Sequence, residues 1–245
     1  MRLFGLIGFP LGHSFSKKYF EEKFKHENLN DCAFELFPLK EIAAVEKLFQ
    51  NKSLQGLAVT IPYKEKIIPF LTEVDAAATE IGAVNCIKII NEERIGYNTD
   101  VIGFEKSLIP ILKPHHTKAL ILGTGGASKA VQFVLKKLGI DFLLVSRNRI
   151  TEKNIISYSD IDEKLMGQYS IIINCTPLGM SPQESQFPNL PYKFITEKHL
   201  LYDLIYKPEK TLFLAEGELH GATIKNGFEM LVIQAEANWK IWNEE

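Results

Sequence analysis

The stretch Lys118-Ala-Leu-Ile-Leu122 runs directly into Gly123-Thr124-Gly125-Gly126-Ala127, and an amphipathic pattern follows over Lys129–Leu138 with Ala127, Val131, Val134 and Leu138 on one face. A buried strand, a glycine-rich turn and a helix in that order leave few folding options. The helix must bury its apolar face against the sheet that the strand belongs to. Gly139 stops the helix, and the next apolar run, Asp141–Val145, returns as a second strand. A strand–helix–strand unit of this length is a right-handed crossover between parallel neighbours. Two further runs, Tyr169–Cys175 and Leu200–Ile205, supply more strands of the same kind.

The first hundred residues carry the same alternation. Leu3–Gly8, Ala33–Leu36 and Gly56–Ile61 read as strands, the last closed by Pro62. Ser16–His26, Leu39–Phe49 and Lys64–Leu71 read as helices, and Ala83–Ile90 with Arg94–Tyr97 as a hairpin around Asn91-Glu92-Glu93. The pattern predicts an α/β protein of two domains, each with a mainly parallel sheet. The softest joint is Lys113-Pro114-His115-His116. The domain reading is 1–100, a Rossmann-like domain over 101–226, and a C-terminal helix within 227–245. That last helix, Phe228–Trp242, sets Phe228, Leu231, Val232, Ala235, Trp239 and Trp242 at helical spacing.

Composition narrows function by exclusion. A net charge of −2 offers no basic field for nucleic acid or an anionic membrane surface, so any anion site must be local. Cys32, Cys86 and Cys175 form no paired motif and the histidines do not cluster at ligand spacing, so neither a disulfide framework nor a metal is expected. The N-terminus lacks the uninterrupted apolar core of a signal peptide, and no apolar run reaches membrane-span length. A cytoplasmic, soluble protein is the expectation.

The glycine turn carries the first chemical signal. Glycines between a strand and a helix let a pyrophosphate approach the backbone, and the helix N-terminus meets it with free N–H groups and a positive dipole end. Ser128 stands where the general dinucleotide fingerprint has its third glycine. The next strand ends in Ser146-Arg147-Asn148-Arg149. A site for NAD usually places an acid there for the ribose hydroxyls; an arginine instead binds a 2′-phosphate with charge-assisted hydrogen bonds. NADP is therefore the expected cofactor.

Two serines flank Phe15 in His13-Ser14-Phe15-Ser16, immediately before a helix. Their hydroxyls, with helix N-terminal amides, can hold a carboxylate, and either serine can equally be only an N-cap. Lys64 lies at a strand-to-helix turn, Val59-Thr60-Ile61-Pro62-Tyr63-Lys64, and Asp100 is an acid in a polar loop after a strand, Gly96-Tyr97-Asn98-Thr99-Asp100. A lysine and a carboxylate that share a substrate hydroxyl can shuttle its proton during hydride transfer.

Taken in order, Ser14-Phe15-Ser16, Val59–Lys64, Gly82-Ala83-Val84-Asn85, Gly96–Asp100, Gly123–Ala127, Asn174-Cys175-Thr176-Pro177-Leu178-Gly179-Met180, Asp203-Leu204-Ile205-Tyr206 and Met230–Ala235 resemble the shikimate dehydrogenase family over nearly the whole chain. The resemblance implies NADP-dependent reduction of 3-dehydroshikimate by an enzyme that is a monomer or homodimer, with the helix within 227–245 rejoining domain 1–100 and the active site in a cleft between the domains. It implies Lys64 as acid/base, with Asp100 positioning and polarising it. Ser14 and Ser16 would bind the substrate carboxylate, and Thr60, Asn85, Tyr206 and Gln234 would contact the substrate. Gly123, Gly125, Gly126 and Ala127 would cradle the pyrophosphate, Ser146 and Arg147 would take the 2′-phosphate side, and Met180 and Gly227 would complete the cofactor set, Met180 near the nicotinamide. Two departures stand out. Ala58 occupies a position where the family usually has Asn, and Arg149–Ser159 shows little helical periodicity where family members often have a helix. The rivals are an NAD-dependent quinate/shikimate dehydrogenase on the same scaffold and a non-catalytic nucleotide sensor. The second would be marked by a broken Lys/Asp pair.

Overall fold

The computed structural model describes residues 1–12, 14–147 and 154–244. The chain divides into two compact units: Met1–Thr99 with Gln234–Glu245, and Asp100–Ile233.

The first unit opens with β1 (Arg2–Gly8), α1 (Phe15–His26), β2 (Cys32–Pro38), α2 (Val45–Phe49) and β3 (Leu54–Val59). β4 (Glu73–Val74), α3 (Ala76–Ile81) and the hairpin β5 (Cys86–Ile90) and β6 (Glu93–Tyr97) follow. The six strands form one sheet in the order β2-β1-β3-β5-β6-β4. β1 pairs in parallel with β2 and β3, whereas β5 runs antiparallel to both β3 and β6. Strand alternation divides the side chains between two cores. Ile7, Leu57 and Val59 face one cluster with Val45, Tyr63 and Ile67; Phe4, Leu6 and Ala58 face a second with Phe20, Phe24 and Phe34. The hairpin turns through Asn91 and Glu92, both at positive φ, which matches the twist of the strands they join.

The second unit contains α4 (Asp100–Leu108), β7 (Lys118–Leu122), α5 (Gly126–Lys137), β8 (Asp141–Ser146), β9 (Ile155–Ser157) and α6 (Glu163–Gln168). β10 (Ile171–Asn174), β11 (Leu200–Asp203), α7 (Leu212–Leu219) and β12 (Thr223–Lys225) complete its sheet, and α8 (Phe228–Asn243) ends the chain. The strand order is β12-β11-β10-β7-β8-β9 and every pairing is parallel. β7, β10 and β11 are the central strands, so their apolar runs are buried on both faces. From Gln234 onward α8 belongs to the first unit, where Ala235 and Trp242 join the phenylalanine cluster and the Trp242 Nε1–H donates to the Ile87 carbonyl at 3.0 Å.

Several expectations are corrected. Lys64–Leu71 is not a helix but a series of turns ending in a 3-10 turn at Ile68–Phe70. Pro69 has no N–H and its ring would strike the carbonyl four residues back. Helix α2 starts well after Leu39, because Glu41 is extended and the Leu39 carbonyl accepts the Tyr63 hydroxyl at 2.6 Å. Asp100 does not sit in a loop; it opens α4 and is buried. Phe228 shares the helical spacing of Ala235 and Trp242 but is half exposed. Helices α3, α4, α6 and α7 were not expected at all. Over Arg149–Ser159, the described part contains β9 and the start of a 3-10 turn and no α-helix; residues 149–153 lie outside the described residues.

At the end of the second sheet where the strands begin, His115 and His116 both approach the Lys198 carbonyl, at 3.0 and 3.2 Å. The buried His116 accepts the Lys113 N–H on Nδ1 at 3.0 Å, which fixes a neutral tautomer with Nε2–H donating. Burial lowers its pKa from the usual 6.5, aided by the neighbouring charges of His115, Lys113 and His199. With the folded pKa depressed, the unfolded chain binds the proton first as pH falls. The His116 contribution is therefore complete above pH 6.5 and declines below it. Urea melts across that window should show a slope that His116→Gln reduces; an unchanged slope would remove His116 as its source.

Candidate active site

The C-terminal edge of the second sheet is built around Gly123. Its N–H donates to the Val145 carbonyl at 2.9 Å, and it holds φ at +101°, a conformation that L side chains rarely adopt. A Cβ there would also stand 3.1 Å from the Thr176 methyl. Gly125 is the N-cap of α5 and no side chain caps that helix; a Cβ on Gly125 would meet nothing within 4 Å. Ser128, buried in the first turn, turns its hydroxyl back to the Gly125 carbonyl at 2.7 Å, which leaves the amide end of the helix to the outside. Open space above uncapped helix amides suits a pyrophosphate. The register Leu122↔Val145 sets the end of β8 beside the turn, so Ser146 and the exposed Arg147 follow immediately on the same edge. Arg149 lies outside the described residues. These groups fit a 2′-phosphorylated dinucleotide.

Asn174, at the end of β10, organises the next loop. Its Oδ1 accepts Thr176 N–H at 3.0 Å and the Thr176 hydroxyl at 2.6 Å, and its amide donates to Asp203 at 3.1 Å and to the Leu178 carbonyl at 3.3 Å. Asp203 also accepts the Thr211 hydroxyl at 2.6 Å and the Ile205 N–H at 3.0 Å. Burial pushes the Asp203 carboxyl up to about 6 although all three donors pull it down. Its three donors match an acceptor-only group, as an ionised carboxylate is. The network fixes the loop through Met180, which is exposed, and the turn that carries the half-buried Tyr206, whose phenol is raised by desolvation. Gly227 has a packing reason for its identity: a Cβ there would fall 2.1 Å from the Leu204 carbonyl oxygen.

In the first unit, Thr60 follows β3 and its N–H donates to the Ile7 carbonyl at 2.9 Å. A Cβ on Gly8 would stand 2.5 Å from the Thr60 methyl, so that glycine admits Thr60 to the edge. The half-buried Lys64 accepts the Val84 N–H on its carbonyl at 2.7 Å, which ties its backbone to the residue before Asn85. Asn85 is buried and donates to Gln234 Oε1 at 3.4 Å, joining β5's entry to α8. Two neighbours were missed from sequence. Thr99 gives its backbone N–H to Asn85 Oδ1 at 2.6 Å, and its hydroxyl lies 2.6 Å from Asn238 Oδ1. Asn238 is four residues after Gln234, hence on the same buried helix face, and that spacing was a readable signal. Ala58 packs in the apolar cluster with Phe4, Cys86, Ala235 and Trp242.

Ser14 is the N-cap of α1 and accepts the Lys17 N–H at 3.4 Å; Ser16 stands in the first turn. A capping oxygen still has a hydrogen to donate, so capping and anion binding are compatible. Ser14→Ala combined with Ser16→Ala should raise the KM of an anionic substrate about tenfold, because two donors of roughly 0.5–1.5 kcal/mol are lost. NADPH affinity should stay constant. An unchanged KM would leave these serines as helix-capping residues alone.

Lys64 and Asp100 fall in the first and second units respectively. Among the described residues no group of three His, Cys, Asp or Glu is disposed to hold a metal, and no helix is long and apolar enough to cross a membrane.

The all-parallel sheet with its uncapped helix behind a glycine turn defines a Rossmann-like α/β protein. The sequence profile of the shikimate dehydrogenase substrate-binding domain matches residues 6–87. The NADP(+) shikimate dehydrogenase of Staphylococcus aureus is 36% identical, covering 99% of this chain and 92% of its own. The crystal structure of shikimate dehydrogenase from Aquifex aeolicus superposes with a TM-score of 0.86 at 34% identity, covering 99% and 92%. The Thermus thermophilus enzyme in complex with NADP(H) and shikimate gives a TM-score of 0.86 at 27% identity, covering 99% and 94%. The chain belongs to the shikimate dehydrogenase family.

Proposed function

We propose that this chain catalyses the reversible NADP-dependent reduction of 3-dehydroshikimate to shikimate, as a cytoplasmic enzyme acting on small molecules. The full-length relationship to NADP(+) shikimate dehydrogenases carries the reading. The glycine turn beside Arg147 supports the cofactor, and the Asn85–Gln234 pair supports a polar substrate site in the first unit.

The first unit is the substrate domain and the second the cofactor domain. Gly123, Gly125, Gly126 and Ala127 would hold the pyrophosphate, Ser146 and Arg147 the 2′-phosphate side, and Met180 and Gly227 border the remaining length. When bound, NADPH supplies a hydride to the carbonyl carbon of the substrate. Lys64 gives the proton that turns the developing alkoxide into a hydroxyl, and in the reverse direction takes it back. Asp100 holds the Lys64 ammonium and the same substrate hydroxyl in place. Ser14 and Ser16 take the carboxylate; Thr60, Asn85, Tyr206 and Gln234 orient the ring through its oxygens. Orientation is itself a large part of such catalysis, since misplacement of a reacting group by about 1 Å can cost 10²-fold.

The test is an NADPH-oxidation assay with 3-dehydroshikimate, run beside shikimate and quinate oxidation with NADP and NAD. Turnover of 3-dehydroshikimate with NADPH is the expected result. Preferred oxidation of quinate with NAD, or no turnover of any of the three, would overturn the proposal.

A further inference from the structure

The parallel sheet of the second unit sets its strand ends in the order β11-β10-β7-β8 along one edge, about 4.8 Å apart. Gly123 follows β7, while Ser146 ends β8 and Arg147 follows it. A dinucleotide whose 2′-phosphate meets Arg147 and whose pyrophosphate meets the Gly123 turn has already crossed β8 and β7. Its nicotinamide half must then lie over the ends of β10 and β11. Those ends carry Asn174 and Asp203, which are partners in the parallel register. The loop after β10 starts against the pyrophosphate turn, since a Cβ on Gly123 would stand 3.1 Å from the Thr176 methyl. It ends at Gly179, which holds φ at +99°, and a Cβ there would stand 3.3 Å from both Cβ and Cγ2 of Thr211. Asp203 joins the two ends of this loop. Its Oδ1 accepts the Asn174 amide at 3.1 Å, and its Oδ2 accepts the Thr211 hydroxyl at 2.6 Å. Asn174, Asp203 and Thr211 are at 0%, 0% and 1% exposure, so water does not replace a lost partner.

We infer that Asp203 and Thr211 are positioning residues that hold the Gly179–Met180 end of this loop at the nicotinamide half of the cofactor. The inference deepens the proposed reaction and rests on its cofactor. Thr211 carries a hydroxyl and a methyl on one Cβ, so its χ1 is stiff. The hydroxyl donates to Asp203 and, as the N-cap of α7, accepts the Leu214 N–H at 3.4 Å. Both contacts ask for the same rotamer, and with the oxygen so placed the methyl stands against Gly179. The cap ties Thr211 only to its own helix. The bond to Asp203 ties the start of α7 to the end of β11 and, through Asn174, to the end of β10. The same carboxylate accepts the Ile205 N–H at 3.0 Å, one residue before Tyr206. Neither Asp203 nor Thr211 needs to touch the cofactor for this.

Comparing the whole cofactor with its adenosine half separates positioning from general stability. Asp203→Asn keeps an oxygen for Asn174 and Ile205 but turns an N–H toward the Thr211 hydroxyl. Thr211→Val keeps the methyl against Gly179 and removes the hydroxyl, whereas Thr211→Ser keeps the hydroxyl. The full-length variants and the Asp203→Asn, Thr211→Val double variant are titrated with NADPH and with 2′,5′-ADP, which carries the 2′-phosphate and lacks the nicotinamide. Thermal melts are recorded for all. Asp203→Asn and Thr211→Val should each weaken NADPH about tenfold and 2′,5′-ADP less than about twofold. The double variant should lose no more than about twofold beyond the weaker single, because both changes break one contact. Thr211→Ser should return NADPH affinity to within about threefold of wild type, the cost of a retained hydrogen bond without its methyl packing. Equal weakening of both ligands, unchanged NADPH affinity, or a Thr211→Ser variant as weak as Thr211→Val would overturn the inference. If Asp203→Asn does not fold, the Thr211→Val and Thr211→Ser pair still decides. Wild type that binds NADPH but fails to turn over 3-dehydroshikimate would sink the proposed reaction alone, so the two failures are distinguishable.

Discussion

Lys64→Ala lowers kcat for 3-dehydroshikimate reduction by about 10²–10⁴, the usual contribution of a positioned general acid, while KM and NADPH affinity change little. The backbone at Lys64 is held independently of its side chain. Its carbonyl takes the Val84 N–H at 2.7 Å, and the neighbouring Tyr63 is buried with its hydroxyl on the Leu39 carbonyl at 2.6 Å. Truncation at Lys64 therefore removes the ammonium without releasing the turn. Lys64→Arg makes the sharper comparison. It keeps a positive charge for any electrostatic role, but a guanidinium does not release its proton in the accessible pH range. Both variants should be slow if Lys64 moves a proton; if only Ala is slow, the lysine acts as a fixed charge. Single-turnover rates with saturating NADPH read the chemical step directly. Near-full turnover by Lys64→Ala would remove the residue from the mechanism.

What sequence revealed and what it hid divide along physical lines. The strand–glycine–helix unit at Lys118–Leu138 is specified locally: apolar runs, a glycine at φ +101° and a glycine stop at Gly139 with φ +68° each act through their own neighbours. The β5–β6 hairpin is local in the same way. Helix α3 was equally readable, since Asp75 caps Ala77 and Ala78 and Gly82 closes it at φ +68°, yet its six residues are too few to show a period. Helix α7 was hidden for a different reason. Leu212 and Leu219 are exposed at 41% and 77% while Phe213 and Leu214 are buried, so hydrophobicity does not mark its inner face. Gly56 looks like a weak point in a strand until the Trp242 indole is placed where its Cβ would be, 2.4 Å away. The Thr99–Asn238 contact belongs to this last group: each residue taken alone reads as an ordinary polar residue, and only the return of α8 from Gln234 onward brings them together. Local backbone constraints are written in short windows; the partners of buried polar groups are set by tertiary packing.

Arg147→Ala should weaken NADP binding by roughly tenfold to a hundredfold while leaving NAD almost unchanged. A 2′-phosphate on a partly exposed ribose gains about 1.5–3 kcal/mol from charge-assisted contacts, and each 1.4 kcal/mol is a factor of about ten. The position of Arg147 favours that role over a general surface charge. It is exposed one residue beyond β8, whose Val145 carbonyl receives the Gly123 N–H at 2.9 Å, so the guanidinium starts next to the phosphate-binding turn. Its charge also acts on Tyr158, opposing the burial that raises this phenol to about 12. Tyr158 directly follows β9, the edge strand paired to β8 through Ser146↔Ser157, which puts the arginine's field over this corner of the sheet. Because the phosphate site is open to solvent, added salt should narrow the NADP preference of wild type and leave Arg147→Ala nearly salt-independent. Fluorescence titrations of NADP and NAD against both proteins, at low and high ionic strength, measure all four affinities. Equal weakening of both cofactors would mean that Arg147 supports the fold of the β8 end and not the phosphate. Wild-type binding of NAD as tight as NADP would show that an arginine at this strand end is not sufficient for selectivity, and the cofactor would then have to be distinguished by other residues on the same edge.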